Sequence, residues 1–161
     1  MEGKKSQPRA LLVFGAPCSG KTTFCEKFAK KFNLAYYDLA ELSKQQKLSR
    51  EMLLFLIEQL AKTGQTLLFE GEIATEKDRA EIRRLLKNYG YETSTVWIQT
   101  DIATIRSRLK SRFRSVQKAK SAYDAAVSSL EAPSDLERPI ILSGKHTFET
   151  QSKHVLAGLA R

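Results

Sequence analysis

Short apolar runs alternate with stretches of helical period along the whole chain. Runs of aliphatic and aromatic residues predict strands near 10–14, 35–38, 66–70, 93–99 and 139–143. Between them, apolar positions recur at three- and four-residue spacing. These stretches predict helices near 21–32, 41–62, 76–88, 101–119, 121–131 and 147–160, with a break allowed around Leu48-Ser49 in the second. The punctuation agrees: Gly64 and Gly90 follow helical stretches as C-terminal glycines do, and Thr100 or Asp101 is placed to cap the next helix. An interruption at Lys120 or Ser121 would divide residues 101–131 into two helices, and Ala132–Asp135 reads as a loop before the last strand. Strands separated by helices imply an α/β fold, a parallel sheet covered on both faces.

At 161 residues the chain is expected to form a single domain over 9–161, preceded by a disordered basic tail over 1–8. It has no internal repeat or low-complexity stretch. No apolar run reaches membrane-spanning length, and Leu53–Ile57 is soon interrupted by Glu58. The segment Met1–Pro8 has no apolar core behind its charges, so no secretory leader and a cytoplasmic location are expected. Cys18 and Cys25, seven residues apart, should lie two turns apart on one helix face, too far for a disulfide. The formal net charge of +9 favours polyanionic ligands, which a nucleoside triphosphate and a nucleic acid both satisfy.

The most specific chemistry lies between the first strand and the first helix. Gly15-Ala16-Pro17-Cys18-Ser19-Gly20-Lys21-Thr22 has the spacing G-x-x-x-x-G-K-[ST] of a phosphate loop, in its strand–loop–helix context. Glycines let main-chain N–H groups converge on a polyphosphate, and the helix N-terminus adds partial positive charge. Lys21 is placed for the β- and γ-phosphates, and the Thr22 hydroxyl for Mg²⁺.

Other candidates fall at the carboxyl ends of the predicted strands, where parallel sheets bind ligands. Glu70 ends the third strand and is the candidate second metal-holding residue, although aspartate is commoner there; Glu72 follows it. Asp38 ends the second strand and could take the proton of an attacking hydroxyl or cap the following helix. Arg108 and Arg112 stand four apart in the densest basic segment. They share a helix face that could grip a transferring phosphoryl group or simply face solvent. Arg50 and Arg79 could hold an anionic acceptor or lie at the surface. His146 and His154 lack the further ligands zinc requires.

These residues together resemble the small phosphate-loop kinases of the polynucleotide-kinase and zeta-toxin-like type, AAA-type ATP-binding proteins. The resemblance spans nearly the whole chain. It rests on GAPCSGKTT, on Asp38, and on FEGEIATEKDRAEIRRLLKNYGYE followed by VWIQTDIATIRSRLKSR. It implies a three-layer sandwich with a five-stranded parallel sheet in the order 2-3-1-4-5. It also implies ATP and Mg²⁺ as cofactors, with ATP contacts from Gly15 through Thr23 and from the loop around Gly144. Lys21, Asp38, Arg108 and Arg112 would be catalytic, Thr22 and Glu70 would hold the metal, and a basic lid would span about 106–120. Arg79 matches the arginine such kinases carry in the helix after strand three. The chain departs from the family in having Glu70 for aspartate and Glu72-Ile73 for a small polar pair, both on the acceptor side. The acceptor is therefore open: a small molecule or a nucleic acid. So is the choice between a kinase, a nucleotide-binding module without transfer and a nucleic-acid-acting protein. The oligomeric state is not specified.

Overall fold

In the computed structural model, which describes residues 7–161, the apolar run Arg9–Phe14 forms β1 at the centre of a sheet. The other strands are β2 (Ala35–Asp38), β3 (Leu67–Glu70), β4 (Glu92–Gln99) and β5 (Ile140–Ser143). All pairings are parallel and the order is β2-β3-β1-β4-β5, the order the resemblance implies. The helices are α1 (Lys21–Phe32), α2 (Leu39–Gln46), α3 (Arg50–Ala61), α4 (Glu76–Asn88), α5 (Ile102–Arg112), α6 (Val116–Ser128) and α7 (Phe148–Leu159). No described helix is long and apolar enough to cross a membrane.

Alternation along β1 explains both faces of the sheet. Ala10, Leu12 and Phe14 point to one side, where they meet Leu39, Leu53, Ile57, Ile82 and Leu86 of α2, α3 and α4. Leu11 and Val13 point to the other, against Phe24, Cys25 and Phe28 of α1 and Val155 of α7. Burying each of the Val, Leu, Ile and Phe side chains among them contributes about 1.5–3 kcal/mol, enough to fix the register of a central strand. A third, small cluster of Ile105, Leu109 and Ala119 joins α5 to α6 and packs against Ala16, Cys18 and Tyr123. The α5–α6 hairpin thus rests on the loop after β1 rather than on the sheet.

The break near Leu48-Ser49 is present: Lys47 turns left-handed (φ 49°), and Ser49 caps α3 by accepting from Met52 N at 3.2 Å. The break in the 101–131 stretch falls earlier than residues 120–121. Extended Phe113 ends α5, and Ser115 Oγ, which accepts from Lys118 N, caps the start of α6. A 3₁₀ turn at Asp135–Glu137 was not expected. The cysteines do not share a helix: Cys18 sits in the loop with φ 59°, Cys25 is buried in α1, and both are free thiols. Residues 1–6 of the expected tail lie outside the described residues. Gln7 Nε2 donates to Gly90 O (3.1 Å), and Pro8 O accepts from Glu92 N (2.9 Å).

Candidate active site

The loop from Gly15 to Gly20 leaves β1 and enters α1 at the carboxyl edge of the sheet. Two glycines in it are required by the space around them. A Cβ on Gly15 would strike the Ile98 carbonyl oxygen of β4. Gly20 holds φ 102° and, lacking a side chain, leaves the first N–H groups of α1 without a side-chain cap. Ala16 O accepts from Ser19 N at 3.2 Å and from Lys21 Nζ at 2.9 Å, so the lysine folds back over its own loop. Burial lowers the Lys21 ammonium pKa from its ordinary value, and the Glu70 carboxylate opposes that shift. The Ser19 hydroxyl is buried without a protein partner. Pro17 and Cys18 are half-buried in the loop; Thr22 and Thr23 are exposed on the first turn of α1.

Thr22 Oγ1 donates to Glu70 Oε1 at 2.8 Å. The second carboxylate oxygen, Oε2, accepts from the Tyr36 hydroxyl at 2.7 Å. Glu70 is only 5% exposed, and its burial together with these hydroxyl partners defines a compact cluster of hard oxygen donors beside the loop. Burial, followed by the hydrogen bond to Glu70, pushes the Tyr36 phenol well above its ordinary range. Asp38 lies beside Glu70 in the β2–β3 register. Its Oδ1 accepts from Glu41 N at 3.0 Å, so the residue caps α2.

On the opposite flank, the Arg108 guanidinium donates to Cys18 O (2.9 Å) and Gly144 O (3.1 Å). Arg112 Nη1 lies 3.8 Å from Cys18 Sγ. Gly144 admits no side chain, because a Cβ would collide with Thr100 Oγ1 and Ser19 O. Thr100 Oγ1 itself donates to Ser19 O at 3.0 Å, and Gly144 N donates to Gln99 O at 2.7 Å. The loop after β5 is thereby fastened to the phosphate loop. Between them opens a cavity of about 420 Å³ lined by Cys18, Gly20, Thr23, Lys27, Arg108, Arg112, Gly144 and His146, among others. Among the described residues no carboxylate lines it. In the neighbouring hollow, Lys145 bonds to Asp101 at 2.6 Å and, with two bonds from Thr104, holds that carboxyl well below the usual carboxylate range.

Two arginines considered for an anionic acceptor are engaged elsewhere. Arg79 is fully buried: Nε and Nη2 pair with Glu137, Nη1 donates to Ile73 O and Ala74 O, and the guanidinium lies 4.2 Å from the Phe14 ring centroid. Arg50 pairs with Glu81 and Asp78 and donates to Glu72 O. Glu72, exposed, holds φ 56° after Gly71. The rings of His146 and His154 meet edge to face, with centroids 6.0 Å apart.

The structure therefore brings Cys18, Gly20 and Thr23 of the loop together with Arg108, Arg112 and Gly144 around one cavity. Gly15, Ala16, Pro17, Ser19, Lys21 and Thr22 do not line it, and Thr22 instead meets Glu70, which lies beside Asp38. Sequence reasoning passed over Tyr36 as a partner of Glu70. The signal was present: Tyr36 stands two residues before Asp38 and shares its side of the strand. The partner of Arg79, Glu137, is 58 residues away and gave no local signal.

A family model described as an AAA domain matches residues 11–133. The chain has no significant match among curated proteins. Solved structures share its fold at low identity. A gluconokinase from Sinorhizobium meliloti 1021 is 17% identical with a TM-score of 0.72, over 96% of this chain and 93% of that one. An unliganded sugar kinase from Janibacter sp. HTCC2649 is 20% identical with a TM-score of 0.69, over 95% of each chain. Kti12 from Chaetomium thermophilum, in complex with ADP-AlF3, is 16% identical with a TM-score of 0.71, over 94% of this chain and 97% of that one.

Proposed function

Because the chain belongs to the AAA domain family, we propose that it is an ATP-dependent phosphotransferase that moves the γ-phosphate to a hydroxyl acceptor. The observation that carries this reading is the cavity beside the phosphate loop, lined by Lys27, Arg108 and Arg112 and, among the described residues, by no carboxylate. A polyanion is attracted to such a site, and the capless N-terminus of α1 adds donors for its phosphates. The gluconokinase and sugar kinase of the same fold support group transfer rather than another phosphate-loop activity.

In this reading the triphosphate lies on the amides of Gly15–Thr22, and Lys21 leaves Ala16 O to meet the β- and γ-phosphates. Arg108 and Arg112, on a basic lid over about 106–120, approach the phosphates from across the loop. They stabilise charge that develops during transfer. The loop at Gly144 borders the nucleotide. The oxygens of Thr22 and Glu70 fit Mg²⁺, a hard cation that takes oxygen ligands. When bound, Mg²⁺ would neutralise charge on the β- and γ-phosphates. Asp38 orients or deprotonates the acceptor hydroxyl with the oxygen not used in capping α2. Lid closure would exclude water that otherwise hydrolyses ATP.

A second reading, nucleotide binding without transfer, is favoured by the acceptor flank. There Asp38 already caps a helix and both Arg50 and Arg79 are paired. Transfer of label from γ-labelled ATP to a panel of sugars, nucleosides, peptides and 5′-hydroxyl oligonucleotides separates the two. Label transfer that falls about thousandfold in Lys21→Ala is expected of a kinase. Nucleotide affinity with only trace hydrolysis across the panel supports the second reading. Absence of any heat of association with millimolar Mg·ATP overturns both.

A further inference from the structure

We propose that Tyr36 is a positioning residue: its hydroxyl fixes the Glu70 carboxylate so that Oε1 faces Thr22 and the metal held there. The inference rests on the nucleotide site proposed above. Three observations lead to it. First, Glu70 stands where the resemblance favours aspartate. The extra methylene adds a rotatable bond, so the carboxylate needs a second restraint to hold one position. Second, its two oxygens are divided between elements: Oε1 accepts from Thr22 on α1 and Oε2 from Tyr36 on β2. Only the first of these donors is itself a candidate ligand. When the Thr22 hydroxyl turns its lone pairs to a cation, its grip on Glu70 changes, while that of Tyr36 does not. Third, the tyrosine is fixed. Its ring packs against the α1-side core cluster, and its Cα is in register with Leu68, two residues before Glu70 on the neighbouring strand. A hydroxyl on so constrained a ring has little freedom to follow a wandering carboxylate; it holds the carboxylate instead. Outer partners of this kind keep first ligands oriented and typically change metal affinity by tenfold or more when removed.

The test uses Tyr36→Phe, which keeps the ring and deletes the hydroxyl. ADP affinity is measured by titration calorimetry without divalent cation and then with Mg²⁺. Mn²⁺ binding to the protein–ADP complex is followed by electron paramagnetic resonance. The expected result is unchanged affinity for metal-free ADP, within about twofold. The gain in affinity conferred by Mg²⁺, and the affinity for Mn²⁺, should each fall about tenfold. In a Glu70→Asp background the same substitution should change either quantity by less than about threefold, because the shorter side chain draws its carboxylate away from the tyrosine. Metal dependence equal to that of the parent protein overturns the proposal, as does an equal loss in both backgrounds. A lower melting temperature accompanied by weaker metal-free ADP binding also overturns it, because the hydroxyl would then be structural. If the parent protein binds no ADP under either condition, the nucleotide-site reading fails and this inference with it. If the parent binds and Tyr36→Phe behaves identically, only the assignment of Tyr36 falls.

Discussion

Helices α4 and α5 carry the same motif, two arginines four residues apart, and the fold gives them opposite environments. On α4, Arg79 and Arg83 converge on Glu137, whose side chain is 1% exposed. Arg79 loses all contact with water and joins α4, the loop after β3 and the segment leading to β5. On α5, Arg108 and Arg112 meet no carboxylate among the described residues. They reach main-chain carbonyls and a thiol of the phosphate loop and line an open cavity. A guanidinium held only by neutral acceptors keeps its charge available to an incoming anion, whereas one clamped bidentately by a buried carboxylate does not. The i, i+4 spacing is therefore silent about role. What decides is whether the tertiary structure brings an acid to the pair.

The largest effect that would break this contrast is on stability. Arg79→Met should destabilise the fold by about 3–5 kcal/mol in urea denaturation, because it removes the bidentate partner of the buried Glu137 carboxylate and leaves only the partly exposed Arg83 and Ser134 N to offset its charge. The double variant Arg79→Met/Glu137→Leu should recover most of that loss. If Arg79→Met instead folded normally and lost label transfer, α4 would belong with α5. Next, Arg108→Ala should shift stability by no more than about 1 kcal/mol while lowering label transfer about hundredfold. An unchanged transfer rate would make Arg108 a mere brace between Cys18 and Gly144. Arg112→Ala, which loses one long contact, should reduce transfer about tenfold and nucleotide affinity less. Equal losses in both would mean that it binds ground and transition states alike.

The most gradual effect is on pH dependence. Burial alone would raise the Glu137 pKa, but the hydrogen bonds and charge of Arg79, joined by Ser134 N and Arg83, hold it below its ordinary 4.5. A carboxyl with a depressed folded pKa contributes stability above its unfolded value and loses that contribution as pH falls through the folded one. Stability should therefore be insensitive to this group between pH 7 and 5 and decline below about 4.5. Glu137→Gln should show a shallower acid decline. Parallel acid profiles for the two proteins would remove the pair from the account of stability.

Local chemistry made much of this molecule legible. Alternation in Ala10–Phe14 placed that run at the centre of a sheet covered on both faces, and glycines at 15 and 20 marked a loop that only a small residue can make. Asp38 was open between base and cap. The structure shows the cap bond to Glu41, a local contact three residues away that sequence could already anticipate. The 101–131 break was expected five or six residues late, because Ser115 competes with Ser121 as a cap and only packing of Ile105, Leu109 and Ala119 chooses between them.

Strand positions, the phosphate-loop motif and the residue types at the sheet's carboxyl edge were thus set by neighbours within a few residues, where periodicity, φ preference and hydrogen bonding act directly. The pairing of Arg79 with Glu137, the hold of Tyr36 on Glu70 and the seating of Arg108 on the phosphate loop join residues 34 to 90 positions apart. Such contacts have no period or spacing to betray them. Only the folded sheet, by bringing distant strand ends to one edge, determines which charges are neutralised and which remain for a ligand.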